Sequence, residues 1–149
     1  MASKIEAARS ATFAGAHVVI APARSPDVVS RVLAGEDVGT LFPAVSQRIS
    51  ARKHWIAFTL RPRGALILDR GAVDAVHQNR SVLAVGVLGV RGSFQPGDSV
   101  ALFDIDGREI ARGLVRLSAV DAARAAGKPA DGESPEMVHR DDLVRLPED

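Results

Sequence analysis

Two groups of residues in this 149-residue chain have types and spacing suited to chemistry. The first is Ser3-Lys4, in the opening turn of what reads as a helix, "MASKIEAARSATFAG". The positive end of a helix dipole repels a cation, so a lysine placed there asks for a compensating anion. Lysine and backbone amides at a helix N-terminus are the means by which phosphate oxygens are held during phosphoryl transfer. The plainer alternative is a terminal lysine in water. The second group lies in a stretch without acid, Pro43 to Leu68, where Arg48, Arg52, Lys53, Arg61 and Arg63 surround Trp55. Cations neutralise phosphates and aromatic rings stack on bases, which is how single-stranded RNA is held. Its plainer alternative is a core tryptophan on a strand, flanked by solvated charges.

Other apparent motifs fall away on their chemistry. "HRDDL" (139–143) mimics a protein-kinase catalytic loop, but Asp142 intrudes, no Asn follows and the chain has no Asp-Phe-Gly. His17, His54, His77 and His139 share no metal-ligand spacing, and "FDIDG" lacks the remaining ligands of a calcium loop. Asp104, Asp106 and Gly107 read instead as a hairpin turn. "GVLGVRG" (86–92) has the wrong glycine spacing for a dinucleotide fingerprint and sits within a strand pattern. Without cysteine, disulfides and thiolate metal sites are excluded. No apolar run reaches the ~20 residues of a membrane span, and no signal-peptide h-region opens the chain. A cytoplasmic location, no metal and no membrane partner are the expectations.

These groups need elements to position them. Residues 3–42 read as helix, strand, helix, strand. Ile5, Ala8, Ala11 and Thr12 share a face of the first helix, and Gly15 ends it. "HVVIA" (17–21) is a β-branched run expected in a strand buried on both faces. Ser25-Pro26-Asp27 predicts a helix start, Val28, Val29, Val32 and Leu33 its buried stripe, and "VGTLF" (38–42) the next strand. Forty such residues are half a layer of an α/β sheet and cannot bury enough apolar surface alone. Residues 43–51 read as a linker. Beyond it the pattern becomes all-β: "HWIAFTL", "ALILD", "SVLAVGVLGVRG", "SVALFDID" and "REIARGLVRL", punctuated by tight turns. Two short helices, Ala72 to Gln78 and Ala119 to Ala126 with Ser118 as cap, interrupt a small β-barrel. "GKPADGESPE" (127–136) is a loop by composition.

In this order both halves resemble the C-terminal part of the bacterial glutamate 5-kinase family. "MASKIEAARSATFAGAHVVIA" is similar to the family's Gly-Gly-Met-x-Thr/Ser-Lys motif and the Ala-rich helix after it, with Met1 at the motif's Met. The chain is therefore expected to start inside a kinase domain. "SPDVVSRVLAGEDVGTLF" resembles the last kinase helix and strand. "RKHWIAFTLRPRGALILDRGA", "LAVGVLGVRGSFQPGDSVALFDIDGREIARGLVR" and "VHRDDLV" resemble the appended PUA domain, a small pseudo-barrel. The resemblance implies an α/β fragment of an amino acid kinase sheet over 1–42, a linker over 43–51 and a PUA domain over 52–149. It implies Lys4 and Ser3 at the phosphates of ATP, with Mg2+ as the metal of the complete enzyme and neither held tightly by this chain. The rest of the kinase domain is the implied partner, and a homo-oligomer is compatible with it. The chain alone is expected to be inactive. The alternative is a non-catalytic PUA-type module acting through RNA or protein partners. Its RNA contacts would be Arg52, Lys53, Trp55, Arg61 and Arg63, with Phe94 as a second ring for stacking. From Arg52 to Asp149 fourteen Lys/Arg meet fourteen Asp/Glu, so RNA binding is expected to be weak. "GKPADGES" replaces a longer helical segment of the family, which puts in doubt any interaction that segment carries.

Overall fold

A computed structural model describes residues 2–45, 49–128 and 132–146. It divides the chain into two compact units, Met1–Ala51 and Arg52–Asp149. In the first, α1 (Ala2–Phe13) buries Ala8, Thr12 and Phe13, while Ile5 is exposed. Gly15 ends it at φ +88°: its N–H donates to the Thr12 carbonyl, and the Ala16 N–H to that of Ala11. That left-handed turn is cheap only for glycine. β1 (Val18–Ile20) and β2 (Thr40–Phe42) pair antiparallel, Val18 opposite Phe42 and Ile20 opposite Thr40.

Two expectations for this unit fail. β1 is half-buried, not buried on both faces, because β2 is its single partner strand among the described residues. α2 (Val28–Leu33) starts after Asp27, which sits at φ +51° with no side-chain cap bond. Ser25 does not cap it; its hydroxyl accepts from Arg31. Of the stripe read as buried, Val28 and Val32 are half-buried, while Val29 and Leu33 are open to water, 68% and 83% exposed.

The second unit is built on a six-stranded sheet. After α3 (Ala51–His54) come β3 (Gly64–Leu68), α4 (Arg70–His77), β4 (Val82–Leu83) and β5 (Val87–Gly92). β6 (Ser99–Phe103), β7 (Glu109–Val115), α5 (Ala119–Ala125) and β8 (Glu136–Arg145) complete it. Strand order is β4-β8-β7-β6-β3-β5, antiparallel except for the β3–β6 pair. Leu66, Leu68, Val87, Phe94, Val100, Leu102, Met137 and Leu143 fill the core, with Val76 of α4 and Ala122 of α5 against it. Asp69 caps α4 by accepting from the Ala72 N–H at 2.7 Å, and Ser118 caps α5 from the Asp121 N–H at 3.2 Å. The long run 81–92 is not one strand: a 3-10 turn at Ala84–Gly86 separates β4 from β5.

"HWIAFTL" is not a strand either. α3 runs directly into a π-helical stretch, Trp55–Thr59, closed by the Leu60 N–H on the Trp55 carbonyl. Ile56 and Ala57 are both fully buried whereas Trp55 and Thr59 are exposed, a pattern no alternating strand gives. The reason lies in the sheet. Ala101, Arg112 and Val144 stand side by side on β6, β7 and β8, and Ala101 and Val144 are buried outside the main core. The helical strap lies against β7 and β8, and the Arg112 guanidinium, paired to Glu109 at 2.6 Å, donates to the Ala57 carbonyl at 2.7 Å.

Candidate functional site

Ser3 and Lys4 are both exposed on the first turn of α1, and that turn carries no acidic residue. The helix is 12 residues long, so its N–H groups and dipole favour negative charge at this end.

The basic residues of the second unit are divided between two elements. Arg52, Lys53 and Trp55 lie on α3 and the strap, Trp55 46% exposed and so not a core tryptophan. Arg61 and Arg63 lead into β3 and are exposed. Two of the arginines have carboxylate partners. Arg52 grips Asp142 of β8, Nη2 to Oδ1 at 2.6 Å and Nε to Oδ1 at 2.9 Å, while Arg63 Nε lies 3.7 Å from Asp98 Oδ1. Arg48 falls outside the described residues. Phe94 is no stacking ring: it is 2% exposed, and a Cβ on Gly64 would strike it and the Arg91 carbonyl.

The "HRDD" residues lie in β8, where Asp142, the residue that breaks the kinase-loop pattern, binds Arg52. Asp104 closes the β6–β7 hairpin, accepting from the Asp106 N–H at 3.0 Å, the Arg108 N–H at 2.8 Å and Arg108 Nε at 2.9 Å. The Arg108 backbone N–H, then its guanidinium, hold the Asp104 carboxyl below the ordinary value of 3.8, against an opposing contribution from burial. Among the described residues no group of three or more His, Asp or Glu is placed to hold a metal, and no helix is long and apolar enough to cross a membrane.

Sequence reasoning missed two features. One is the Arg112–Glu109–Ala57 link, for which a buried-strand pattern holding an Arg and a Glu three apart was the available sign. The other is a shallow, open depression between β5 and α5, with Arg124 and Lys128 at its side. No spacing rule joins residues 90 and 128.

Residues 64–132 match the PUA domain family. The chain is 46% identical to the glutamate 5-kinase of Pseudomonas paraeruginosa, over 97% of its own length and 41% of that protein's. It is 45% identical to the glutamate 5-kinase of Stutzerimonas stutzeri with the same coverage. The chain thus spans about two-fifths of the length of the curated relatives it matches. Among solved structures it is similar to a PUA domain from Aeropyrum pernix, with a TM-score of 0.47 and 25% identity over 68% of this chain and 53% of that one. Over nearly its whole length, then, the chain is similar to the C-terminal region of glutamate 5-kinases, and residues 64–132 of its second unit match the PUA domain family.

Proposed function

We propose that the chain acts as the C-terminal part of a glutamate 5-kinase. In that reaction a γ-carboxylate oxygen of L-glutamate attacks the γ-phosphorus of ATP. The bond to the ADP oxygen breaks and an acyl phosphate forms, the first step toward proline. One observation supports this above the others: the 46% identity runs through both units in order. A free PUA module has no need of the first.

In this reading Lys4, with the Ser3 hydroxyl and the amides of the first turn of α1, meets the phosphate oxygens. They neutralise charge that grows on those oxygens as the phosphoryl group moves. Mg2+ would supply further positive charge to the same phosphates in the complete enzyme, beside that of Lys4. The partner is the remainder of a kinase domain. The exposed Val29, Leu33 and Leu41 support that assignment, because further helix and strand laid against them would remove apolar surface from water. A cytoplasmic location goes with such an enzyme.

RNA binding by Arg52, Lys53, Trp55, Arg61 and Arg63 is at most weak in this reading, since Arg52 and Arg63 already face carboxylates. Each phosphate that is met adds only ~0.7 to the salt slope on single strands, so the dependence on salt should be shallow.

The test joins the N-terminal part of the Pseudomonas paraeruginosa relative to this chain and traps acyl phosphate as hydroxamate, with ATP, Mg2+ and glutamate. The fusion is expected to turn over and the chain alone not to. Lys4→Ala in the fusion should lower kcat by about 100-fold, as for loss of one charge-stabilising donor. An active fusion indifferent to Lys4→Ala removes Lys4 from the site. A folded, inactive fusion removes the kinase reading.

A further inference from the structure

We infer that His17 is a proton-operated clip, closed by the neutral imidazole and opened by protonation, on the stretch of chain that leaves the first unit. β1 and β2 pair as far as Val18 opposite Phe42. Continuing that register would set Pro43 opposite His17, and proline has no N–H to give, so the ladder stops there. Two other bonds hold the chain past this point. The Ala44 N–H donates to His17 Nδ1 at 3.1 Å, and the Val45 N–H donates to the Thr12 carbonyl at 3.0 Å. The second bond is anchored in the fold, since Thr12 is buried on α1 and its carbonyl also takes the Gly15 N–H. The first hangs on an exposed imidazole.

The partner of that imidazole fixes its proton state. A backbone N–H can only donate, so Nδ1 must keep a free lone pair, and the neutral ring then holds its proton on Nε2. A second proton turns Nδ1 into a donor facing a donor, and the bond to Ala44 is lost. Histidine is the side chain that makes this change near neutral pH. The clip is therefore closed on the alkaline side of the ring's titration and open on the acid side. Charge around the ring is sparse. β1, β2 and their flanks, 14–21 and 38–45, carry no other titratable side chain. α1 carries Lys4, Glu6 and Arg9, none of them in its last turn. Position gives the bond its consequence: Ala44 and Val45 lie where the chain leaves β2 for the second unit, which starts at Arg52. Opening the clip loosens that exit and leaves the β1–β2 pairing in place. The proposal does not rest on the kinase reading.

NMR of the full 15N-labelled chain from about pH 5 to about pH 8 tests it. At the alkaline end the His17 ring should be the Nε2–H tautomer, read from its own nitrogen shifts. The Ala44 and Val45 amides should move with the same midpoint as the ring, while Val19 and Leu41 within the ladder stay still. His17→Ala should abolish that movement and, at the alkaline end, speed exchange of the Ala44 amide about fivefold, the size of one modest hydrogen bond. The position is exposed, so the ladder should survive the change, which the same spectra verify. Ala44→Pro, which removes the donor, should leave Val45 indifferent to the ring's proton. An Nδ1–H tautomer, amides that ignore the ring's titration, or Ala44 exchange unchanged by His17→Ala would each overturn the proposal.

Discussion

Replacing Ile56 by alanine tests the docked strap, the element that departs most from the sequence expectation. Its side chain is fully buried, yet it lies outside the main core and is covered from one side by a single helical stretch. Truncating a buried isoleucine to alanine costs about 2–5 kcal/mol, less where the site can collapse. A one-layer cover can settle inward, so about 2 kcal/mol is expected. In a domain of this size each kcal/mol moves Tm by roughly 4–8 °C, which predicts a loss of about 10 °C in the transition of the second unit. The neighbour is the control: Trp55 is 46% exposed, so Trp55→Ala should stay within about 0.5 kcal/mol. Thermal melts of the full chain followed by circular dichroism, with amide exchange on β7 and β8 to assign the transition, give both numbers. A Trp55→Ala loss equal to or above that of Ile56→Ala would refute the strap, because it would put the tryptophan in the interior and the isoleucine outside.

Asp104→Asn should remove an acid-sensitive contribution. The folded carboxyl lies below its ordinary 3.8, so it stabilises the hairpin above that value and ceases to as pH falls through the lowered one; the variant's stability against pH should be flatter below about pH 4. Gly64→Ala should cost about 1–3 kcal/mol in urea unfolding, since its Cβ meets the Phe94 ring and a carbonyl, whereas Gly71→Ala in α4 has room and should gain up to about 1 kcal/mol. We propose that 43–51 is a linker between the units: limited trypsin digestion should cut first at Arg48, its single tryptic site, and leave a fragment from about 52 onward. Early cuts within β6 or β7 would contradict it.

Local chemistry made much of this protein legible from residues alone. Gly15 and Gly35 end helices because only glycine turns left-handed without strain, and both lie at positive φ. Ser118 caps α5 because a hydroxyl reaches an orphan N–H, and Asp104 with Gly107 closes a hairpin for equally local reasons. The order of the two halves followed from the same kind of evidence, since hydrophobic period changes where the α/β pattern gives way to strands. Each of these features is decided within a few residues.

What lay beyond the sequence was decided by partners far along the chain. "HWIAFTL" has strand-like residues, but β6, β7 and β8 offer it a half-apolar face and not an open edge. The Arg112 guanidinium, 55 residues away, donates to the Ala57 carbonyl, and the segment winds into a π-helical strap. α2 shows the converse: its valines promise a buried face, and burial requires a surface that this unit does not supply. Phe94 reads equally as a ring for bases or for the core until Gly64 leaves room above it. Arg52 reads as a phosphate ligand until Asp142, 90 residues on, is found against it. Propensity and capping act through neighbours in sequence, so the chain alone determines them; burial and ion pairing act through neighbours in space, and only the folded sheet settles those.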